Sequence, residues 1–225
     1  MKRFILIVVA ILVALALIIT SLTVWLRSGN KRLVVNDFRL EQLEQEKLNI
    51  DNLTKVKLAL RSAKVVVKQA PEAGVILQNY VPSQFDIQQH GESLTITQKN
   101  SKQRKWEIGE YTTIVLMVKE DLTNLNIQQL NGTLRLENIA TDTLNIAHDN
   151  GTTLLQKVTV KEQGTIEKKN GTTTLNNLIA PGLRVSVKTG TFTLNDVKEK
   201  NNYDDQQPKQ LRITSGTGQV VVTRK

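Results

Sequence analysis

From Leu125 onward apolar and polar residues alternate in short runs, and the runs recur. Four segments share one pattern: Asn131-Gly-Thr-Leu-Arg-Leu-Glu-Asn-Ile139, Asn150-Gly-Thr-Thr-Leu-Leu-Gln-Lys-Val158, Asn170-Gly-Thr-Thr-Thr-Leu-Asn-Asn-Leu178 and Thr189-Gly-Thr-Phe-Thr-Leu-Asn-Asp-Val197. Their glycines, Gly132, Gly151, Gly171 and Gly190, are spaced by 19, 20 and 19 residues, and a degenerate fifth copy begins at Ser215-Gly-Thr-Gly. Five residues before each glycine stand Ile127, Ile146, Ile166 and Val185; seven before stand Leu125, Leu144, Gly164 and Leu183. Each copy reads as a short strand, an Asn-Gly turn and a second short strand, with one apolar face. Gly takes positive φ without steric penalty and Asn does so more readily than most residues, which suits a sharp corner.

A fixed period near twenty predicts stacked units that share a core with their neighbours. The expected fold is therefore all-β: a β-solenoid with 19–20-residue coils, favoured over an antiparallel sandwich. Stacking would place Leu136, Leu155, Leu175 and Leu194 in one internal row and Thr133, Thr152, Thr172 and Thr191 in another. Upstream, alternation recurs less regularly at Val56, Leu58 and Leu60, then Val65 and Val67, Val75 and Leu77, Phe85 and Ile87, Leu94 and Ile96, and Ile114, Leu116 and Val118. These predict atypical outer coils that cap the array. Between Leu33 and Gln45 the pattern is weak; Asp37, Phe38, Leu40 and Leu43 allow a short helix, but the stretch reads better as a lead-in to the first strand.

The first 26 residues break the alternation. Phe4 to Leu26 is 23 residues without a charge, enough to cross a hydrocarbon layer of roughly 30 Å as a helix. A cleaved signal peptide would have a shorter apolar stretch and a small-residue site, so an uncleaved anchor is expected. Lys2 and Arg3 precede it and Arg27, Lys31 and Arg32 follow, which leaves orientation undecided by charge. The mass of chain after the helix gives the expected layout. Residues 1–3 form a cytoplasmic tail, 4–26 a transmembrane signal anchor, 27–47 a juxtamembrane linker and 48–225 an extracytoplasmic domain of a single-pass cell-membrane protein.

Charge changes little once the anchor is set aside. The chain carries +9, but five cations flank the span, leaving 25 Lys and Arg against 21 Asp and Glu in residues 33–225, or +4. That balance, with two tryptophans, does not suit nucleic acid. The absence of cysteine excludes a disulfide framework, so stability must come from core and backbone pairing.

Candidate chemistry is sparse. His90 and His148 each sit near a turn glycine and read as turn or surface residues. Asp142 and Glu162, one period apart, are the best acid pair for glycoside cleavage, since adjacent strands bring side chains within reach of the required separation. Asp204 and Asp205 together are a weak calcium site. No cofactor and no metal is expected, and a polysaccharide-active enzyme is only the minor alternative. Two loops interrupt the pattern. One holds Lys99, Lys102, Arg104 and Lys105 beside Trp106; the other, Lys198 to Lys209, holds Tyr203, Asp204 and Asp205. Insertions of this kind are candidate partner-binding sites, although solvated hairpin tips look the same.

With its single N-terminal anchor, its strands from Leu53 to Val67 and its Leu-x-Ile, Asn-Gly-Thr, Leu-x-x-Ile units between Leu125 and Val197, the chain resembles bacterial envelope proteins of the putative-adhesin family, LiaG-like proteins among them. The resemblance implies a β-solenoid outside the membrane, sometimes associated with envelope-stress signalling, and offers no catalytic residues. The expected function is a non-catalytic, adhesin-like or envelope-polymer-binding module. The alternative is an accessory to an envelope-stress system that meets another membrane protein through the Lys198 to Lys209 insertion or the anchor.

Overall fold

The computed structural model describes residues 2–50 and 52–225; Met1, part of the expected cytoplasmic tail, lies outside them. The elements in order are α1 (Lys2–Ser28), β1 (Lys31–Val34), β2 (Arg39–Gln42), β3 (Glu44–Asn49), β4 (Lys55–Gln69), β5 (Gly74–Tyr80), β6 (Phe85–His90), β7 (Ser93–Gln98) and β8 (Glu107–Gly109). There follow β9 (Thr112–Val118), β10 (Leu122–Glu137), β11 (Ala140–Gln156), β12 (Thr159–Leu178), β13 (Leu183–Leu194), β14 (Val197–Glu199), β15 (Asn202–Asp204) and β16 (Leu211–Arg224). They group into two compact units, residues 1–44 with 105–110, and residues 45–104 with 111–225.

In the smaller unit α1 is long and apolar enough to cross a membrane, a property that anchors and signal sequences share. Residues 31–42 form neither helix nor featureless lead-in. β1 and β2 make an antiparallel hairpin around a 3-10 turn at Val35–Asp37, and β8 pairs on the other side of β1. One face of this three-stranded sheet buries the Arg32 guanidinium against Glu41 and Glu107, at 3.4 and 3.9 Å. With Arg32 and Glu41 buried beside Val34 and the leucines Leu33 and Leu40 on the other face, the hairpin gives no apolar alternation to read.

The larger unit corrects the expected β-solenoid: its strands form a mixed sheet of 13 strands. Three findings overturn the coil. The three Asn-Gly pairs and Thr189-Gly190 lie inside continuous strands of 12 to 20 residues, not at turns between short ones. β16 slots between β12 and β13, so the strands do not stack in chain order. β3, β5, β6, β14 and β15 enter the sheet, and β5, β6, β14 and β15 pair antiparallel with their neighbours.

The long strands do pair parallel and in register. Leu125 opposes Leu144, Ile127 opposes Ile146, and Ile146 opposes Ile166. The glycines align as Gly132–Gly151–Gly171–Gly218–Gly190, so it is Gly218, not Gly216, that completes the column. Their φ angles run from +115° to +143°, and the strand bends there. Residues from both sides of the bend join one buried cluster, including Ile127, Ile146 and Ile166 before it and Leu136, Leu155 and Leu175 after it. The threonine row expected inside is outside: Thr133 and Thr152 are exposed, and the buried row is one residue further on, Leu134, Thr153, Thr173, Val220 and Phe192. Leu194 is only partly buried.

The bend also divides the sheet at β4. Val56 and Leu58, before it, pair alongside β7, whereas Val65 and Val67, after it, pair alongside β9. At the other end β15 covers the first half of β13 and β14 the second. That edge would otherwise present a row of unpaired backbone groups, a template for aggregation.

Candidate functional site

A cleft of about 380 Å³ opens beside the bend, lined by Ser101, Lys102, Gln128, Gln129, Ala147, Asp149 and Lys169 together with Leu60 and Leu130. Four strands, β4, β10, β11 and β12, contribute to it, because their register brings the residues just before the bend to one place. Lys169 Nζ lies 2.6 Å from Asp149 Oδ2. Lys102 comes from the loop after β7, where the Gln103 N–H donates to the Asn100 carbonyl at 2.9 Å and Asn100 holds φ +57°. Two lysines against one aspartate leave the cleft with one net positive charge.

Next to it runs a ladder of carboxamides. Asn150 Nδ2 donates to Asn131 Oδ1 at 3.0 Å, and Asn170 Nδ2 to Asn150 Oδ1 at 2.9 Å. Parallel in-register strands repeat each side chain at the same offset, which lets every amide both give and accept. Asn at this position therefore fixes the bend, and its recurrence reflects stacking instead of a hairpin turn.

Behind the cleft the interior is polar. Lys168 Nζ donates to His148 Nδ1 at 3.0 Å and to Thr153 Oγ1 at 3.3 Å, and Thr153 Oγ1 is 2.8 Å from the same ring nitrogen. His148 is fully buried, not at a surface turn; His90 is exposed. The signal was in the sequence: alternation carried two residues beyond Ile127, Ile146 and Ile166 lands on Gln129, His148 and Lys168, all buried. Burial, and secondly the Lys168 charge, lower the His148 pKa from 6.5 to about 4, against small opposing effects of the Asn150 backbone and Asp149. Burial lowers the Lys168 ammonium from 10.5 to about 8, opposed by Asp149.

Both folded values lie below the unfolded ones, so the unfolded chain holds more protons and stability rises with pH. The rises fall between about pH 4 and 6.5 for His148 and between about 8 and 10.5 for Lys168. Lys168→Met should abolish the second rise and raise stability at pH 7 by about 1–2 kcal/mol, because a buried ammonium is replaced by an apolar isostere. Thermal melts of both proteins across pH 6–10.5 check this; parallel curves would show that Lys168 carries its proton at no cost.

The remaining expected site residues do not gather. Lys99 and Arg104 are exposed but do not line the cleft, while Lys105 and Trp106 belong to the smaller unit, where Lys105 faces Asp37 at 3.9 Å. The Lys198–Lys209 insertion lies against the sheet as β14 and β15. Tyr203 packs on Phe192, ring centroids 5.7 Å apart. Asp205 accepts from the Leu183 N–H at 2.8 Å and meets Arg224 at 2.9 Å. Asp204 accepts from the Gln206 N–H and Gln210 Nε2, which hold its carboxyl below the usual range. Both carboxylates are thus engaged in seating the insertion. Asp142 meets Lys161 at 3.6 Å, and Glu162 meets Lys209, so each acid of the glycosidase pair has its own lysine.

The bent mixed sheet is the arrangement of a known bacterial protein fold. A crystal structure from Clostridium sporogenes, described as "a putative cell adhesion protein", superposes with a TM-score of 0.60 at 18% identity, covering 82% of this chain and 100% of that one. Two others overlap loosely. One from Bacteroides fragilis, described as "a putative adhesin", has 8% identity, covers 82% of this chain and 97% of that one, and scores 0.34. One from Parabacteroides distasonis, described as a "putative lipid binding protein", has 9% identity, covers 80% and 96%, and scores 0.33. No protein-family model matches the sequence, and no curated protein does either.

Proposed function

We propose that the chain is a membrane-anchored, non-catalytic module, displayed outside the cell, that holds an anionic envelope glycan in the cleft at the bend. The observation that carries this is the juxtaposition of Lys102 and the Lys169–Asp149 pair with Ser101 and Gln128. Amides and hydroxyls match a hydroxyl-rich polymer, and one net positive charge favours a phosphate or carboxylate on it. The apolar helix α1 supplies the anchor, and the fold shared with the Clostridium protein agrees with a surface role. A LiaG-like role beside an envelope-stress sensor gains less support, because the insertion that would make a protein contact is seated on β13.

Co-sedimentation of the detergent-solubilised chain with bacterial cell-wall sacculi, before and after their phosphate polymer is removed, tests the proposal. Lys102→Glu turns the cleft from net positive to net negative, and should weaken binding several-fold; about 0.5 M salt, which screens exposed charges within a few Å, should do the same. Binding indifferent to salt, to Lys102→Glu and to removal of the polymer would refute it.

A further inference from the structure

Beyond the cleft, the smaller unit carries an exposed apolar face that neither the proposed glycan binding nor the anchor uses. Strand pairing sets Leu33 opposite Leu40 on one side and opposite Ile108 on the other, so the three side chains form one row across β2, β1 and β8. Alternation puts this row on the face opposite Arg32 and Glu41. Leu40 is 49% exposed, and Leu33 and Ile108 are half-buried. Trp106, two residues before Ile108, continues that face and is 73% exposed.

Phe38 adds to the patch at the hairpin turn. It is 84% exposed and holds φ +46°, a backbone region that bulky residues seldom enter. An aromatic ring kept in solvent by a strained backbone suggests a use for it.

The face also looks toward the end of α1. Lys31, on the same side as Leu33, places its ammonium 5.1 Å from the centre of the Trp25 ring, and Arg27 meets Glu110 at 2.6 Å. Both tryptophans of the chain, Trp25 and Trp106, therefore sit in this unit, exposed, with the apolar row between the helix end and Trp106. Tryptophan favours the membrane–water boundary more than other residues do, because its ring is apolar and its N–H stays hydrated.

We propose that the Leu33–Leu40–Ile108 face, with Phe38 and Trp106, lies in the headgroup–acyl boundary of the bilayer that holds α1. The sheet is then a monotopic foot on a single-span anchor. Burying such a face at the boundary removes apolar area from water without crossing the membrane. It rests on the membrane-anchor reading, since only a spanning α1 brings the face to that boundary.

Two single-tryptophan proteins, W25F and W106F, reconstituted singly into nanodiscs, test it. Lipids brominated near the carbonyl end of the acyl chain quench fluorescence by contact. Trp106, read in W25F, should lose about half its intensity or more with those lipids and be shielded from aqueous iodide, as interfacial residues are. Phe38→Ser with Leu40→Ser should restore iodide access to Trp106 and reduce bromolipid quenching at least two-fold, on the order expected when apolar anchors are lost.

Quenching of Trp25, read in W106F, with no quenching of Trp106 would overturn the foot and leave the anchor standing. Loss of quenching at both would overturn both. Trp106 shielded from iodide but indifferent to bromolipid would mean that protein covers the face, and would also overturn the proposal.

Discussion

Gly171→Ala should leave the larger unit unable to fold, and Gly171→Val should do no worse, because the damage is done by the first carbon added. A Cβ at Gly171 would stand 2.0 Å from the Gly151 carbonyl oxygen and 3.0 Å from its carbon, with φ already at +115°. The atom it meets is the backbone of the paired strand, which cannot swing aside as a side chain can. Relief requires either breaking the β11–β12 ladder or moving Gly171 to negative φ, which undoes the bend. Strained backbone costs about 1–3 kcal/mol before the clash is counted, so a total beyond about 4 kcal/mol is expected. Gly91 provides the contrast: φ is +56° and nothing lies within 4 Å of an added Cβ, so Gly91→Asn should be nearly neutral. Urea unfolding followed by circular dichroism checks all three. A Gly171→Ala protein within about 1 kcal/mol of the parent would show that the bend needs no glycine.

That column shows how far the sequence could be read. The spacing of Gly132, Gly151 and Gly171 identified residues that do lie opposite one another, whereas Gly190 is parted from Gly171 by Gly218, and a glycine at positive φ is compatible with both a turn and a bend inside a strand. Only the hydrogen bonding of neighbouring strands separates the two, and it is a non-local property. The position of β16 was hidden for a related reason. Leu211, Ile213, Val220 and Val222 carry the same alternation as the strands before them, and nothing local states that they insert between β12 and β13. The insertion from Lys198 to Lys209 looked like a free loop because its few apolar residues are spread out; its order comes from capping β13. The apolar helix and the alternating strands were legible because burial against lipid or core leaves a period in the sequence. The cleft was legible only at Lys102, since its other charged and polar walls, Gln128, Asp149 and Lys169, stand at positions that alternation treats as surface.

Leu155→Asp and Leu154→Asp, adjacent substitutions of the same chemistry, should separate the two faces of β11. Leu155 is 1% exposed, opposes Leu136 and Leu175 across the ladder, and belongs to the central cluster. Replacing it loses the transfer energy of a leucine, leaves a cavity and places a carboxyl group where no donor waits, a cost of about 4 kcal/mol or more. Leu154 points the other way, between Arg135 and Thr174, where an aspartate finds water and a nearby guanidinium; a change within about 1 kcal/mol is expected. The consequence reaches the cleft, because β11 also carries Ala147 and Asp149. Leu155→Asp should therefore lose sacculus binding together with the folded signal, whereas Leu154→Asp should keep both. A folded Leu155→Asp protein of parental melting temperature, or equal damage from the two, would mean that the register of β11 is shifted by one residue from the pairing described.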